Sequence, residues 1–379
     1  MATKNIPQIR FKGFDGEWEE KKFNDRFLGF TEKTTSENED VLLSSSINGM
    51  FLNSELFSHQ RGSSNKGYLK IKLGTMILSA QNLHLGNANV NLRFNHGIIS
   101  PAYKTYNILE DNIAYVNAWL KRDNTNKMFF DCTTVGASLC RRNIDWDELY
   151  NQYISFPPKS EQERIASLFT TLDKQISCSE AKLDKLRTIK KTLLKKMFAS
   201  QGEKTPQIRF KGFEEEWEEK LLGEIGTINS GCDYKHLNRG NIPVYGTGGY
   251  MTSVDKALSY TKDAIGIGRK GTIDNPYILK APFWTVDTLF YVFPKDNINL
   301  NFLFNLYCKV DWRSKNEASG VPSLSKGIIN NVCIKTASLS EQTRIASLFT
   351  ALDKQISCQE KKIEKLKAVK KTLLKKMFV

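Results

Sequence analysis

Two stretches of the chain carry apolar residues at heptad spacing with no glycine or proline inside them. Within 160–198, Phe169, Ile176, Leu183 and Met197 recur at one seam position and Ile165, Leu172, Leu186 and Leu193 at the other. Lys190 and Ser179 interrupt this seam. Within 340–378, Phe349, Ile356, Ile363 and Met377 and Ile345, Leu352, Leu366 and Leu373 fall at the same places, with Lys370 and Gln359 at the same two interruptions. The pattern predicts two long helices, each roughly 55 Å at 1.5 Å per residue, whose matched seams pack together. Ser160 and Ser340 are the expected N-caps, with Glu161 and Glu341 in the first turn and TLLKKMF closing each helix. The lysines Lys191, Lys195, Lys196, Lys371, Lys375 and Lys376 suit a helix C-terminus and equally a contact with DNA or a partner.

The helices are one part of a larger repeat. SEQERIASLFTTLDKQISCSEAKLDKLRTIKKTLLKKMF, Ser160–Phe198, returns as SEQTRIASLFTALDKQISCQEKKIEKLKAVKKTLLKKMF, Ser340–Phe378. PQIRFKGFDGEWEEK, Pro7–Lys21, returns as PQIRFKGFEEEWEEK, Pro206–Lys220. Between them lie unlike segments, roughly 22–159 and 221–339, so the order is short motif, variable segment, long helix, twice over. The expected boundaries are a first domain over 1–159, a helix over 160–198, a polar linker over 199–206, a second domain over 207–339 and a helix over 340–379. In the variable segments β-rich runs such as Thr75–Ser79, Phe283–Thr285 and Leu289–Val292 alternate with Gly, Asn and Ser loops. Faint likenesses link the two: SSSING against GTGGY, each after an apolar pair, and IKLGTMILSAQN at Ile71–Asn82 against DAIGIGRKGTI at Asp263–Ile273. One mixed α/β fold with two different surfaces is expected.

Composition narrows the function. A length of 379 residues, 40% hydrophobic and 25% charged, is that of a folded multidomain protein. No run approaches the ~18 uncharged apolar residues of a membrane span, and MATKNIPQIR lacks the apolar core of a secretory signal, so the cytoplasm is the expected location, with no membrane partner. Seven cysteines at 132, 140, 178, 232, 308, 333 and 358, without any CxxC spacing, are expected as reduced thiols. Four dispersed histidines at 59, 84, 96 and 236 give no metal site. The net charge of +14 points to nucleic acid. Of this, 160–198 contributes +4 and 340–378 contributes +6, leaving +4 for the rest, so local arginines, lysines and polar loops must do any gripping there.

Catalytic signatures are missing. A methyltransferase would need a cofactor-binding glycine loop and a D/N-P-P-F/Y tetrapeptide; Asn275-Pro276-Tyr277 lacks the second proline and reads as a turn. Gly246-Thr247-Gly248-Gly249 is too short for a phosphate-binding motif and reads as a flexible loop. Glu19-Glu20-Lys21 satisfies half of a nuclease metal motif, but no Pro-Asp precedes it, and it recurs as Glu218-Glu219-Lys220 in the repeated motif, which argues for structural use. Trp18 and Trp217, duplicated with that motif, are expected to anchor it against the helix ends rather than to stack on bases.

In these residues the chain resembles the specificity subunits of type I restriction-modification enzymes. RFKGF followed by Trp, SEQxRIASLFxxLDKQI, GIGRKGTI leading into PFWTVDTLFYV, GIISPAYKTYNI at Gly97–Ile108 and GASLCRRNIDWDEL at Gly136–Leu149 carry the likeness, which spans Pro7–Phe378. The resemblance implies an α+β protein: two mixed α/β target-recognition domains, related by pseudo-two-fold duplication, separated by two long helices packed as an antiparallel coiled coil. Each domain would read one half of a bipartite, asymmetric site on double-stranded DNA. The implied partners are two methyltransferase subunits and restriction/translocase subunits. AdoMet, ATP and Mg would belong to those partners, with no cofactor and no catalytic residue on this chain. Base contacts need side chains that form paired hydrogen bonds, set on polar loops. In the first domain the candidates are Ser45, Ser46, Asn48, Gln81, Asn82, Arg141 and Arg142; in the second they are Tyr245, Thr247, Arg269, Lys270, Ser319 and Ser323, each for a base or a phosphate. An autonomous DNA-binding regulator would share the basic charge and the duplication while needing no methyltransferase.

Overall fold

The computed structural model describes residues 5–58, 64–138, 141–200 and 202–379, apart from the side chains of 135–138 and 141. Cys140 lies outside the described residues. The chain divides into two compact units, 1–179 with 362–379, and 180–361.

The first unit opens with β1 (Glu19–Lys22) and β2 (Phe27–Phe30), followed by a hairpin of β3 (Leu43–Ser46) and β4 (Gly49–Leu52). Then come β5 (Met76–Ser79), β6 (Ala88–Val90), β7 (Tyr103–Ile108), helix α1 (Ile113–Leu120) and β8 (Tyr153–Phe156). A four-stranded antiparallel sheet runs β2-β7-β5-β6, and β1 pairs separately with β8. Burial explains the sheet: Met76, Ile77 and Leu78 are fully buried, as expected of a central strand covered on both faces. The core runs from Trp18 and Phe23 through Tyr106, Tyr115 and Trp119 to Phe156.

After the first long helix, α2 (Lys159–Lys196), the second unit repeats this plan with different residues. Its strands are β9 (Glu218–Leu221), β10 (Gly226–Ser230), the hairpin β11 (Arg239–Gly246) and β12 (Gly249–Val254), β13 (Ala264–Gly268), β14 (Tyr277–Leu279) and β15 (Leu289–Pro294). Helix α3 (Leu300–Lys309) and β16 (Cys333–Thr336) precede the second long helix, α4 (Leu339–Lys376). The sheet order is β10-β15-β13-β14, and β9 pairs with β16: strand for strand the topology of the first unit. Asn275 and Pro276 lie in the irregular connection that leads into β14, whose first residue is Tyr277.

Both units are built on the same polar joints. Asn112 caps α1 by accepting from the amides of Ala114 and Tyr115, while its own amide donates to Gln162 Oε1 at 2.8 Å. Asn299 caps α3 in the same way, with its amide 2.9 Å from Gln342 Oε1. Arg10 forks onto the carboxylate of Glu161 at 2.8 and 2.7 Å, and Arg209 onto Glu341 at 2.8 and 2.8 Å. Both carboxylates are buried, and the hydrogen bonds they accept raise the pKa of each arginine. Glu161 and Glu341 thus fasten the repeated PQIRF motif to a helix start. The helices themselves begin at Lys159 and Leu339, so Ser160 and Ser340 stand one residue inside rather than capping. The reason is that Pro158 O accepts from the amides of Glu161 and Gln162, and Ser338 O from that of Gln342, which opens each helix earlier.

Each unit also contains the beginning of one long helix and the end of the other. In the first unit Phe378 packs 6.3 Å from Trp18, 5.3 Å from Tyr115 and 5.7 Å from Phe169, ring centroid to centroid. In the second, Phe198 packs 6.2 Å from Trp217, 5.2 Å from Phe302 and 5.7 Å from Phe349. Trp18 and Trp217 are therefore buried anchors against helix ends. Backbone hydrogen bonds repeat the joint, Ile9 N to Lys376 O and Ile208 N to Lys196 O, both 2.9 Å. The lysines that interrupt the heptads are paired across the seam: Lys190 with Asp353 at 2.5 Å in the second unit and Lys370 with Asp173 in the first. In each unit the facing helix segments run antiparallel, since Phe169 meets Phe378 while Asp173 meets Lys370, and Lys190 meets Asp353 while Phe198 meets Phe349.

Candidate nucleic-acid interface

In the first unit the hairpin β3–β4 ends in a two-residue turn, Ile47-Asn48, between the paired residues Ser46 and Gly49. In the second, β11–β12 ends in Thr247-Gly248 between Gly246 and Gly249. The segment read from sequence as a flexible loop is thus a hairpin turn. Gly49 and Gly249 have φ of +132° and +106°, a backbone region that a side chain disfavours and that these tight turns require. Asn48 is exposed at the first tip.

Below the first tip lies a network of buried amides. Strand alternation turns Ser45 inward, and its hydroxyl lies 2.9 Å from Asn87 Oδ1 while accepting from Asn89 Nδ2 at 2.6 Å. Ser45 is therefore a support of the tip and not part of its outer surface, a correction to the expectation from sequence. Asn89 also donates to Ser46 O at 2.7 Å, and Tyr103 donates its hydroxyl to Ser45 O at 3.1 Å. Lys121, just past α1, gives its three N–H groups to Ile47 O at 3.0 Å, Ala88 O at 2.8 Å and Asn89 Oδ1 at 2.6 Å. Burial lowers its pKa to about 8. The loop after β5 joins the same cluster, because Asn87 N donates to Asn82 O at 3.2 Å, and Gln81 and Asn82 are exposed there. So Ser46 and Asn48 stand on the hairpin, which Asn87 links to the loop carrying Gln81 and Asn82. Arg142 does not join them: its guanidinium folds back onto Thr133 Oγ1 at 2.6 Å and Thr133 O at 3.1 Å and lies over the Phe130 ring. The side chain of Arg141 lies outside the described ones.

In the second unit the hairpin, the loop after β13 and the loop around Pro322 meet one another. Tyr245 and Thr247 stand on the hairpin, and Gly271 sits beside Thr247, whose Oγ1 would lie 3.6 Å from a Cβ there. Arg269 and Lys270 are exposed in the loop after β13. Leu324 N donates to Arg269 O at 2.9 Å and Gly271 N to Pro322 O at 2.8 Å, while Lys270 bridges Ser323. Ser319 is exposed in that same last loop, which Asn316 Oδ1 shapes by accepting from Ala318 N and Ser323 N. Tyr277, from β14, donates its hydroxyl to Gly246 O at 2.6 Å, and burial raises its pKa. Ser79 and Gly268 are equivalent strand ends, pairing with Tyr103 and Leu289 at the start of β7 and β15, so Gln81 and Lys270 each stand two residues beyond and occupy matching places.

The residues that sequence reasoning missed are Asn87, Asn89, Lys121 and Tyr277. A signal for the first two existed: Asn87, Asn89 and Asn91 alternate, and all three are buried. Polar side chains on the inward face of a strand need partners, and a tip above them supplies some. Lys121 and Tyr277 carried no comparable mark.

Among the described residues no group of three or more His, Cys, Asp or Glu could hold a metal ion, and no helix is long and apolar enough to cross a membrane.

Comparison with known proteins bears on the fold and the family. Over 307 residues the chain is 22% identical to the specificity subunit of the type I restriction enzyme MjaVIII of Methanocaldococcus jannaschii, covering 70% of this chain and 69% of that one. Over 246 residues it is 23% identical to a putative type I specificity subunit, S.MgeORF438P, of Mycoplasma genitalium, covering 62% of this chain and 64% of that one. Its fold is similar to a crystal structure of the S subunit of a type I restriction-modification system from M. genitalium, with a TM-score of 0.69, 18% identity and 99% of each chain covered. A chain from a structure addressing complex assembly and conformational transition of the type I R-M system matches with a TM-score of 0.53 and 15% identity over 94% of this chain and 96% of that one. A family model described as the type I restriction modification DNA specificity domain matches residues 3–188 and 214–368, and the chain belongs to that family.

Proposed function

We propose that each unit reads one half of a split, asymmetric site on double-stranded DNA through its hairpin tip and the loop after its third sheet strand. The observation that carries this reading is a repeated sheet order bearing unlike tips: uncharged amides in the first unit, Arg269 and Lys270 in the second. Amides suit paired hydrogen bonds to adenine, and guanidinium or ammonium groups suit guanine or phosphate, so unlike tips select unlike half-sites. Of the residues chosen from sequence, Ser46, Asn48, Gln81 and Asn82 are the contacts of the first half and Tyr245, Thr247, Arg269, Lys270, Ser319 and Ser323 those of the second.

The two 38-residue helices, each about 57 Å long at 1.5 Å per residue, act as a coiled-coil spacer that sets the gap between halves and docks two methyltransferase subunits. The chain performs no chemistry. AdoMet serves methylation of adenine on the methyltransferase subunits, and ATP and Mg serve the restriction/translocase subunits.

Co-expression with the methyltransferase subunits of the same system tests this reading. A stable complex that methylates a split sequence, and that changes only one half of it when residues 22–159 are exchanged for another domain, is the expected result. A lone chain that binds its site as tightly as the complex would identify an autonomous regulator instead.

A further inference from the structure

Both hairpin tips are held from beneath, and by unlike side chains. In the first unit the Lys121 ammonium ties the end of α1 to two other segments: the tip through Ile47 O, and the strand β6 through Ala88 O and the buried side-chain amide of Asn89. All three hydrogen-bond acceptors are neutral, the nearby Asp173 carboxylate and Lys370 ammonium act on it in opposite directions, and burying an ammonium against dipoles is costly compared with an apolar side chain of the same length. Packing does not explain it; a fork joining three backbone segments does. Matching the caps Asn112 and Asn299 places Cys308 at the corresponding point of the second unit, and its side chain is too short to serve as such a fork. There the task falls to Tyr277, whose hydroxyl reaches Gly246 O, the carbonyl at the base of the turn. Its ring lies 6.1 Å from that of Tyr245, beside the same tip. Two frames that agree in caps, ion pairs and helix plugs therefore disagree here, at the contact that aims the exposed turn.

We propose that Lys121 and Tyr277 are positioning residues for base reading, each clamping the tip of its own unit and so governing one half-site only. This rests on the function proposed above. A hairpin alone is marginally stable, whereas paired hydrogen bonds to a base edge tolerate displacements of only about 0.5 Å. A clamp on the turn carbonyl removes the motion that would let a wrong base be accepted. The three acceptors of Lys121 and the one of Tyr277 belong to neither the ring plugs nor the ion pairs, while the charges of Asp173 and Lys370 act on Lys121 from nearby.

The test uses the assembled methyltransferase complex carrying wild-type chain, Lys121→Met, Lys121→Arg or Tyr277→Phe, with methylation rates measured on duplexes bearing single-base substitutions in either half. Exchange of residues 22–159 identifies which half belongs to the first unit. Lys121→Met should reduce discrimination in that half by about tenfold while leaving the other half unchanged, and Lys121→Arg should restore part of it. Tyr277→Phe, which removes one oxygen, should relax only the second half. Relaxation of both halves together, or full discrimination in Tyr277→Phe and Lys121→Arg alongside an unaltered or unassembled Lys121→Met, overturns the clamp. A wild-type complex that methylates no split site overturns the proposed function itself, an outcome distinct from the others.

Discussion

The hairpin Leu43–Leu52 and the hairpin Arg239–Val254 stand at the same point of the same sheet plan, yet almost nothing at their tips is shared. One tip rests on buried serine and asparagine with a lysine beneath; the other is glycine-rich, flanked by tyrosines and by Arg269 and Lys270. At the joints the two units are nearly interchangeable: asparagine cap, glutamine acceptor, arginine fork and phenylalanine plug recur at matching positions. Selection of the joints and selection of the tips are separable because they share few contacts. That is what allows one frame to carry two surfaces.

The comparison can be broken most strongly at the plugs. Phe198→Ala and Phe378→Ala should each cost about 3–5 kcal/mol, measured by urea unfolding, because both rings are buried against a tryptophan and a second aromatic. A loss under about 1 kcal/mol for either would show that the plug is not a shared joint.

Titration sharpens the contrast at the tips. The pKa of Lys121 falls from 10.5 to about 8 on folding, so between those values the folded chain binds fewer protons than the unfolded one. Stability then rises with pH across that window, by on the order of 3 kcal/mol, and Lys121→Met should flatten the rise. An identical pH profile for wild type and variant would contradict the burial of this amine. In the second unit burial pushes the Cys308 thiol at the matching place up to about 12, so that position acts in the opposite sense and loses stability as pH rises from 9 towards 12.

The smallest expected difference lies within the ion pairs. Glu341 accepts from Trp217 Nε1 at 3.1 Å as well as from Arg209, whereas Trp18 Nε1 is buried without a hydrogen-bond partner among the described residues. Glu341→Ala should therefore destabilise more than Glu161→Ala by about 1 kcal/mol in the same unfolding experiment. Equal losses would mean that the indole bond adds nothing.

What the sequence revealed follows the same division. Heptads, the twin SEQ motifs and the twin PQIRF motifs exposed the helices and the joints, since these depend on local periodicity and on repetition that can be seen along the chain. The likeness of IKLGTMILSAQN and DAIGIGRKGTI marked equivalent strands, and the candidates Gln81 and Lys270 fell at matching places beyond them. Ser45 and Arg142 stand apart from the exposed candidates for one reason: a residue type says what it can bond, and the fold decides what it does bond. Ser45 is turned inward by strand alternation, and Arg142 is held by Thr133 across its own hairpin. Lys121 was invisible because its partners lie 74 and 32 residues away, beyond any window of local pattern.

The division of the chain into 1–179 with 362–379, and 180–361, bears on its synthesis. Chains emerge from the ribosome N-terminus first, and the leading domain ordinarily folds first. Here the trailing unit is contiguous, so all its parts are outside the ribosome sooner than those of the leading one. Trp18 has to wait for Phe378, and a ribosome paused after residue 361 but before residue 378 would carry a chain with its later lobe finished and its earlier lobe still open.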